Sequence, residues 1–270
     1  MKTTKLTSLT LLFLAAASLS ACGAPETITK TEVVRSWFAP ATAGGKGGDG
    51  GAATVLYAHW TLEEGTLSLP DVFDTRAGNG GGGGKATVGK PGVDGLNGAA
   101  GELDTQSAPF VFDATGITPD MVIDSNADAM QLFLEDNADP MPVLKVDRFR
   151  IAAGSRLDIG CDVRIEARQF VIEEGGRLVV RGRDSGRCSI GIMQLESRPG
   201  LLGGQLFVQA DTIELRGTID VAGNAGQSGE QGGAGGTVLL RTTNLTIHEG
   251  AKVLAHGGDG GAGGDEREIR

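Results

Sequence analysis

Aromatic side chains are scarce in this chain: nine Phe, two Trp and one Tyr make up 4% of its 270 residues. That is unusual for a compact globular core, which normally leans on large rings. No run of Lys or Arg makes a basic stripe, and the formal net charge is −10. Phosphate binding rests on clustered cations, so a nucleic-acid partner is excluded. The acidic balance favours solubility and draws divalent cations weakly, but names no ligand. There are only three histidines, His59, His248 and His256, and all lie far in sequence from the cysteines, which disfavours zinc. Proline is scarce too. The stretch GKPGVDGLNGAAG (89–101) has glycine at every third place, but Pro91 is its one proline and the run is short, which excludes a collagen triple helix.

Glycine fills part of what is missing, with 45 residues. Without collagen's strict period, that abundance points to low-complexity loops or to a solenoid.

The amino terminus, MKTTKLTSLTLLFLAAASLSAC, carries Lys2 and Lys5, an apolar stretch and then small residues. That is the layout of a secretory signal, too short to span a membrane as a mature segment. Its end, Leu19-Ser20-Ala21-Cys22 followed by Gly23, resembles the lipobox of bacterial lipoproteins. The resemblance covers residues 1–23. It implies cleavage before Cys22, acylation of that thiol and anchoring to a membrane, with residues 1–21 as signal and 22–42 as lipidated terminus and linker. Several acyl chains give firm anchoring, since each buried CH₂ contributes about 0.8 kcal/mol. Gly23, rather than Asp, matches the pattern exported to the outer membrane. Two cysteines remain, Cys161 and Cys188. An exported location permits a disulfide between them, with two isolated buried thiols as the alternative.

One phrase recurs: WTLEEGTLSLP (60–70), FRIAAGSRLDIG (149–160), FVIEEGGRLVVRG (170–182), IELRGTIDVAG (213–223) and LTIHEGAKVLAHG (245–257). Residues 163–182 match 238–257 without a gap, and 142–161 match 163–182. In each unit apolar residues alternate in three bursts, such as Val163/Ile165/Ala167, Phe170/Ile172 and Leu178/Val180, which reads as half-buried strands. Three strands and two bends every ~20 residues predict an all-β chain, a parallel β-helix (β-solenoid) over 43–270. Like residues then stack, Phe149 on Phe170 and Ile151 on Ile172. The shared glycine (Gly65, Gly154, Gly175, Gly217, Gly250) is expected at a bend of positive φ. Glycine-rich tracts at 43–51, 77–101, 200–204, 223–236 and 257–264 are expected as loops inserted at one corner, partly ordered. Residues 184–204 read as a degenerate coil using Ile190, Ile192 and Leu195, and 104–141 as an irregular excursion or cap. The end, GGDEREIR, offers little to cover the last coil, which is left for a partner unless the chain continues.

Chemistry-bearing patterns are few. Asp124, Asn126, Asp128 and Glu135 match the oxygen-ligand positions of an EF-hand calcium loop, but Ala129 replaces its turn glycine. GGKGGD (44–49) and GGAGGD (260–265) match six places of the calcium-binding nonapeptide, then depart at Gly51 and Arg267. Many parallel β-helices cleave acidic polysaccharides, which requires convergent carboxylates and a base. Asp158, Glu166 and Arg181 are candidates, read here as ordinary outward strand positions, and the histidines as surface positions. Apart from possible calcium, no cofactor is indicated.

The chain resembles glycine-rich β-solenoid lipoproteins of bacterial envelopes. The resemblance implies location more than activity, a surface lipoprotein of the outer membrane; regular repeats without a convergent catalytic cluster point to a non-enzymatic structural, adhesive or assembly role, with an envelope polysaccharide or protein as partner. The alternative is a β-helical carbohydrate-active enzyme or glycan-binding module, with 104–141 shaping a groove.

Overall fold

Period-two alternation of Val, Ile, Leu and Thr with charged residues builds the long strands. The computed structural model describes residues 37–62, 68–86, 88, 90–108, 110–113, 115, 117, 120–124, 132–133, 141–182, 188–191 and 194–269. In chain order come β1 (Trp37–Ala39), β2 (Ala52–Leu62), the single helical turn α1 (Leu69–Val72), β3 (Phe73–Asp74), β4 (Leu103–Ser107) and β5 (Met121–Ile123). Then follow β6 (Leu132–Phe133), β7 (Val143–Ile151), β8 (Arg156–Ile159), β9 (Val163–Ile172), β10 (Arg177–Val180) and β11 (Ser189–Gly191). After a 3-10 turn at Leu195–Ser197 come β12 (Gln205–Leu215), β13 (Thr218–Asp220), β14 (Thr237–Ile247), β15 (Lys252–Leu254) and β16 (Arg267–Ile269).

Fourteen of these strands make two seven-stranded sheets, not the expected parallel β-helix, and β1 pairs antiparallel with β16 in a separate two-stranded sheet. The first sheet is parallel, in the order β4-β2-β14-β12-β9-β7-β5. The second runs β3-β15-β13-β10-β8-β11-β6 and turns antiparallel at β11 and β6. Both sheets are open, and chain order is broken, since the early strand β2 lies beyond the late strand β14. Two features of the sequence explain the correction. The first two apolar bursts of each unit are one continuous strand, whose in-out alternation slips by a residue at 168–169, 211–212 and 243–244. Among the described residues of 184–204 no coil is seen: β11 pairs antiparallel with β8, and Leu195 opens the 3-10 turn. Ile190 and Leu195 are buried, while Ile192 lies outside the described residues. The last unit needs no partner of another kind, because β2 covers β14 and β3 covers β15.

Register aligns the recurring phrase across strands. Phe149 faces Phe170, which faces Ile213, which faces Leu245; Ile151, Ile172, Leu215 and Ile247 align in the same way. All eight are buried, and the two Phe rings stack with centroids 5.1 Å apart. Both sheets contribute to one apolar cluster, with Leu157, Leu178, Ile219 and Val253 from the second. Each such side chain contributes about 1.5–3 kcal/mol by burial. Aliphatic columns thus do the work that rings do elsewhere. Cys161 and Cys188 form a disulfide that ties the end of β8 to the start of β11.

Gly154, Gly175 and Gly250 turn the chain between long and short strands with φ of 67°, 70° and 83°. Gly217 departs from this expectation. Its φ is not positive; its bend is shorter, and an added Cβ would lie 2.3 Å from the Gly176 carbonyl oxygen. Gly65 lies outside the described residues.

The glycine tracts are not loops projecting from a corner. Segments 42–51, 75–84, 92–101, 221–236 and 255–266 run side by side, joined by backbone hydrogen bonds that recur every third residue. The N–H groups of Gly45, Gly48 and Gly51 donate to the carbonyls of Gly261, Gly258 and Ala255 at 2.8, 2.8 and 2.6 Å. Those of Gly44, Gly47 and Gly50 donate to Val93, Leu96 and Ala99, and those of Gly78, Gly81 and Gly84 to Gly48, Gly45 and Thr42. A three-residue repeat is that of a polyproline II helix, which makes no internal hydrogen bonds and leaves its backbone groups to pair outward. Contacts are too close for side chains: a Cβ on Gly45 would lie 1.7 Å from the Glu230 carbonyl oxygen. Glycine frequency follows the packing. Segment 44–51 is flanked on several sides and spends two of every three positions on glycine. Among the described residues, segment 92–101 bonds to 42–51 and 75–84 alone and has glycine at 92, 95, 98 and 101.

Candidate functional site

Strand order brings the charged residues of the second sheet into one cluster on its face away from the apolar core. Arg156 pairs with Asp158 on its own strand at 2.7 Å and with Glu196 of the 3-10 turn. Arg177 pairs with Asp220 and reaches Glu196 at 3.8 Å. Arg181 lies 2.9 Å from Asp220 and donates to the side-chain carbonyl of Asn224 at 2.9 Å. Asn224 in turn donates to the carbonyls of Leu195 and Arg198. The turn at 195–198 is thereby held down as a cover over β8, β10 and β13.

Asp158 and Arg181 are therefore not outward positions; they are 0% and 2% exposed. Alternation tells which face a side chain takes but not whether a further segment covers that face. Burial by itself would push the Asp220 carboxyl up. The attraction of Arg181, with hydrogen bonds from Arg181, Arg177 and the Ala222 N–H, outweighs it and holds the group below the ordinary carboxylate range. Each of these charges is engaged by a partner, and the cluster acts as a clamp. Glu166 lies elsewhere, on the outer face of the first sheet, paired with Lys145 at 2.9 Å. Of the histidines, His59 is exposed, while His248 and His256 are half-buried. His248 contacts Glu214 at 3.1 Å, and the His256 ring lies 3.0 Å from the Gly257 carbonyl.

Two clefts are candidates for a ligand. One, of about 380 Å³, lies among the glycine tracts and is lined by Arg76, Asn79, His256 and Asp259. Its polar groups are mutually engaged: Arg76 with Asp74, and Asn79 with Asp259. The other, of about 530 Å³, opens on the outer face of the first sheet. After β4, Phe110–Phe112 lie against that face, and β5 joins the sheet at its opposite edge. The segment Phe110–Phe112 forms one wall, and Arg168 (β9), Asp211 (β12) and Thr243 (β14) form the other. Thr243 Oγ1 donates to the Phe110 carbonyl at 3.0 Å, and the Arg241 guanidinium sits 4.9 Å from the Phe110 ring centroid. Arg168 pairs with Asp147 at 3.0 Å. The Asp211 carboxylate has no partner among the described residues.

The alternation slip is the signal for this groove. Where two successive residues face outward, the strand bends and adjacent strands present a line of polar side chains, but reading it requires the register. Asp124 is described, whereas Asn126, Asp128 and Glu135 lie outside the described residues, as does Cys22. Among the described residues no group of three or more His, Cys, Asp or Glu side chains could hold a metal ion. Asp49 and Asp265 of the nonapeptide-like stretches accept the N–H groups of Ala99 and Lys85 and so close the edges of the glycine layer. No family model matches the chain, and neither a curated protein nor a solved structure matches it.

Proposed function

We propose that this chain is a non-enzymatic lipoprotein of a bacterial envelope, held in the outer membrane through acylated Cys22, with an adhesive, structural or assembly role toward an envelope polysaccharide or protein. The lipobox-like run Leu19–Cys22 supports the anchor. The observation that carries the role is how the candidate catalytic charges are used. Of the three candidates, Asp158 and Arg181 are buried within ion pairs and support the fold, where a hydrolase or lyase needs its charged groups open to substrate, and Glu166 lies apart from them, paired with Lys145 on the other sheet. The body they stabilise is a layered arrangement of in-register strands and bonded glycine tracts.

The anchor is tested by fractionating cells that express Cys22→Ser. The substituted chain is expected in the soluble fraction, while the parent chain sediments with membranes. Retention of the Cys22→Ser chain in membranes after a salt wash removes the lipoprotein assignment. Turnover of any polysaccharide by the purified chain removes the non-enzymatic one.

A further inference from the structure

We infer that the groove between Phe110–Phe112 and the bend of the first sheet binds a neutral, hydroxyl-rich glycan chain; this deepens the adhesive reading above and names its partner class. The bend places Asp147, Arg168, Asp211 and Thr243 at equivalent points of four neighbouring strands, about 4.8 Å apart. One residue further on, Arg148, Gln169, Thr212, Asn244 and His59 pair in register across five strands. All of these are exposed or half-exposed polar side chains.

Along the first line Arg168 Nε is held by Asp147 and Thr243 Oγ1 donates to the Phe110 carbonyl, which leaves the terminal N–H groups of Arg168 as donors and the Asp211 carboxylate and the Thr243 hydroxyl oxygen as acceptors. A sugar hydroxyl is donor and acceptor at once, so neighbouring hydroxyls can pair with such a line whichever way they turn. Phe110 and Phe112 are half-buried along the opposite wall and supply the apolar side against which the C–H face of a pyranose ring packs. Arg241 fixes the Phe110 ring by its cation–π contact, while its own Nε is buried without a partner. Charge decides between ligand classes. The lining carries Asp211 and Arg168, the latter paired with Asp147, and Arg241 stands beside Phe110, so an acidic polymer would meet Asp211 and a basic peptide would meet the Arg168 and Arg241 guanidiniums. A neutral glycan meets neither penalty. The Asp211 carboxylate, without a partner among the described residues, is the group that such a ligand would satisfy.

The full-length chain in mild detergent, titrated calorimetrically with cello-, malto- and mannohexaose and with hexagalacturonate as acidic control, tests this. At least one neutral hexasaccharide is expected to bind, and hexagalacturonate to bind at least tenfold more weakly. Asp211→Ala and Val111→Asp are each expected to weaken binding at least tenfold without changing the melting transition. Val111 is 90% exposed at the lip of the groove, so its substitution does not threaten folding. Failure of all three neutral sugars to bind overturns the inference, as does binding that survives both substitutions unchanged or that favours the acidic sugar. The outcome is separate from the anchoring test: a groove that binds nothing leaves the Cys22 result standing, and a chain that needs no lipid can still bind a glycan.

Discussion

Alanine at Gly48 lowers the free energy of unfolding by at least about 3 kcal/mol, the upper end of what overpacking ordinarily costs. Alanine at Gly82 raises it by about 0.5 kcal/mol. The same methyl group is added in both cases, and the surroundings set the sign. At Gly48 the new Cβ would lie 2.0 Å from the Gly233 carbonyl oxygen, and backbone on both sides is tied into the hydrogen-bonded layer. No rotamer change can relieve that contact, so whole tracts must part. At Gly82 the nearest atom is a side-chain oxygen of Asp94 at 4.0 Å, and φ is not in the left-handed region. There the gain comes from the unfolded chain, which loses some of glycine's freedom. Denaturant unfolding of the two variants beside the parent chain reads both effects from the midpoints at unchanged slope. Equal, small shifts would mean that the tracts are not packed against each other.

Removal of the Asp220 carboxylate has a comparable effect through a different cause. Asp220→Ala leaves the Arg181 guanidinium, 2% exposed, without its anion, and breaking one side of a buried pair costs about 3–5 kcal/mol. Arg177 loses the same partner, but it is more exposed and can turn to Glu196. The pair also gives stability a pH dependence. Asp220 is held below its usual value of 3.8 in the folded chain, so between the folded and unfolded values the unfolded state binds more protons. The contribution is complete above about pH 4 and is lost as pH falls through the folded value. Unfolding midpoints followed from pH 7 to pH 2 should fall for the parent chain over the acid end of that range. For Asp220→Asn they should fall less. An identical acid profile in the two proteins would assign the acid sensitivity to other carboxylates.

The strands were legible because Val163–Ile172 and its counterparts alternate cleanly, and the recurring glycine marked the bends at Gly154, Gly175 and Gly250. Which units would be neighbours was legible only in part. The aligned phrases pair Phe149 with Phe170, but nothing local to β2 says that it adds to β14, far along the chain, and that placement separates two open sheets from a sequential coil. The glycine tracts concealed their order because glycine has no side chain with which to record a face. Their record is the count per triplet, two in 44–51 and one in 92–101, which follows the number of packed neighbours. The clamp was hidden for another reason. Asp158 and Arg181 alternate like surface residues, and only the cover at 195–198, itself held through Asn224, turns that face inward.

Amide hydrogen exchange resolved residue by residue over 42–51 tests the layered account most directly. Gly44, Gly45, Gly47, Gly48, Gly50 and Gly51 donate to neighbouring tracts, whereas the N–H groups of Ala43, Lys46 and Asp49 make no hydrogen bond among the described residues. The account predicts two slow amides followed by one fast amide, repeated along the tract, with the slow ones protected at least a hundredfold. Uniformly fast exchange, at the rate of an unstructured chain, would contradict it.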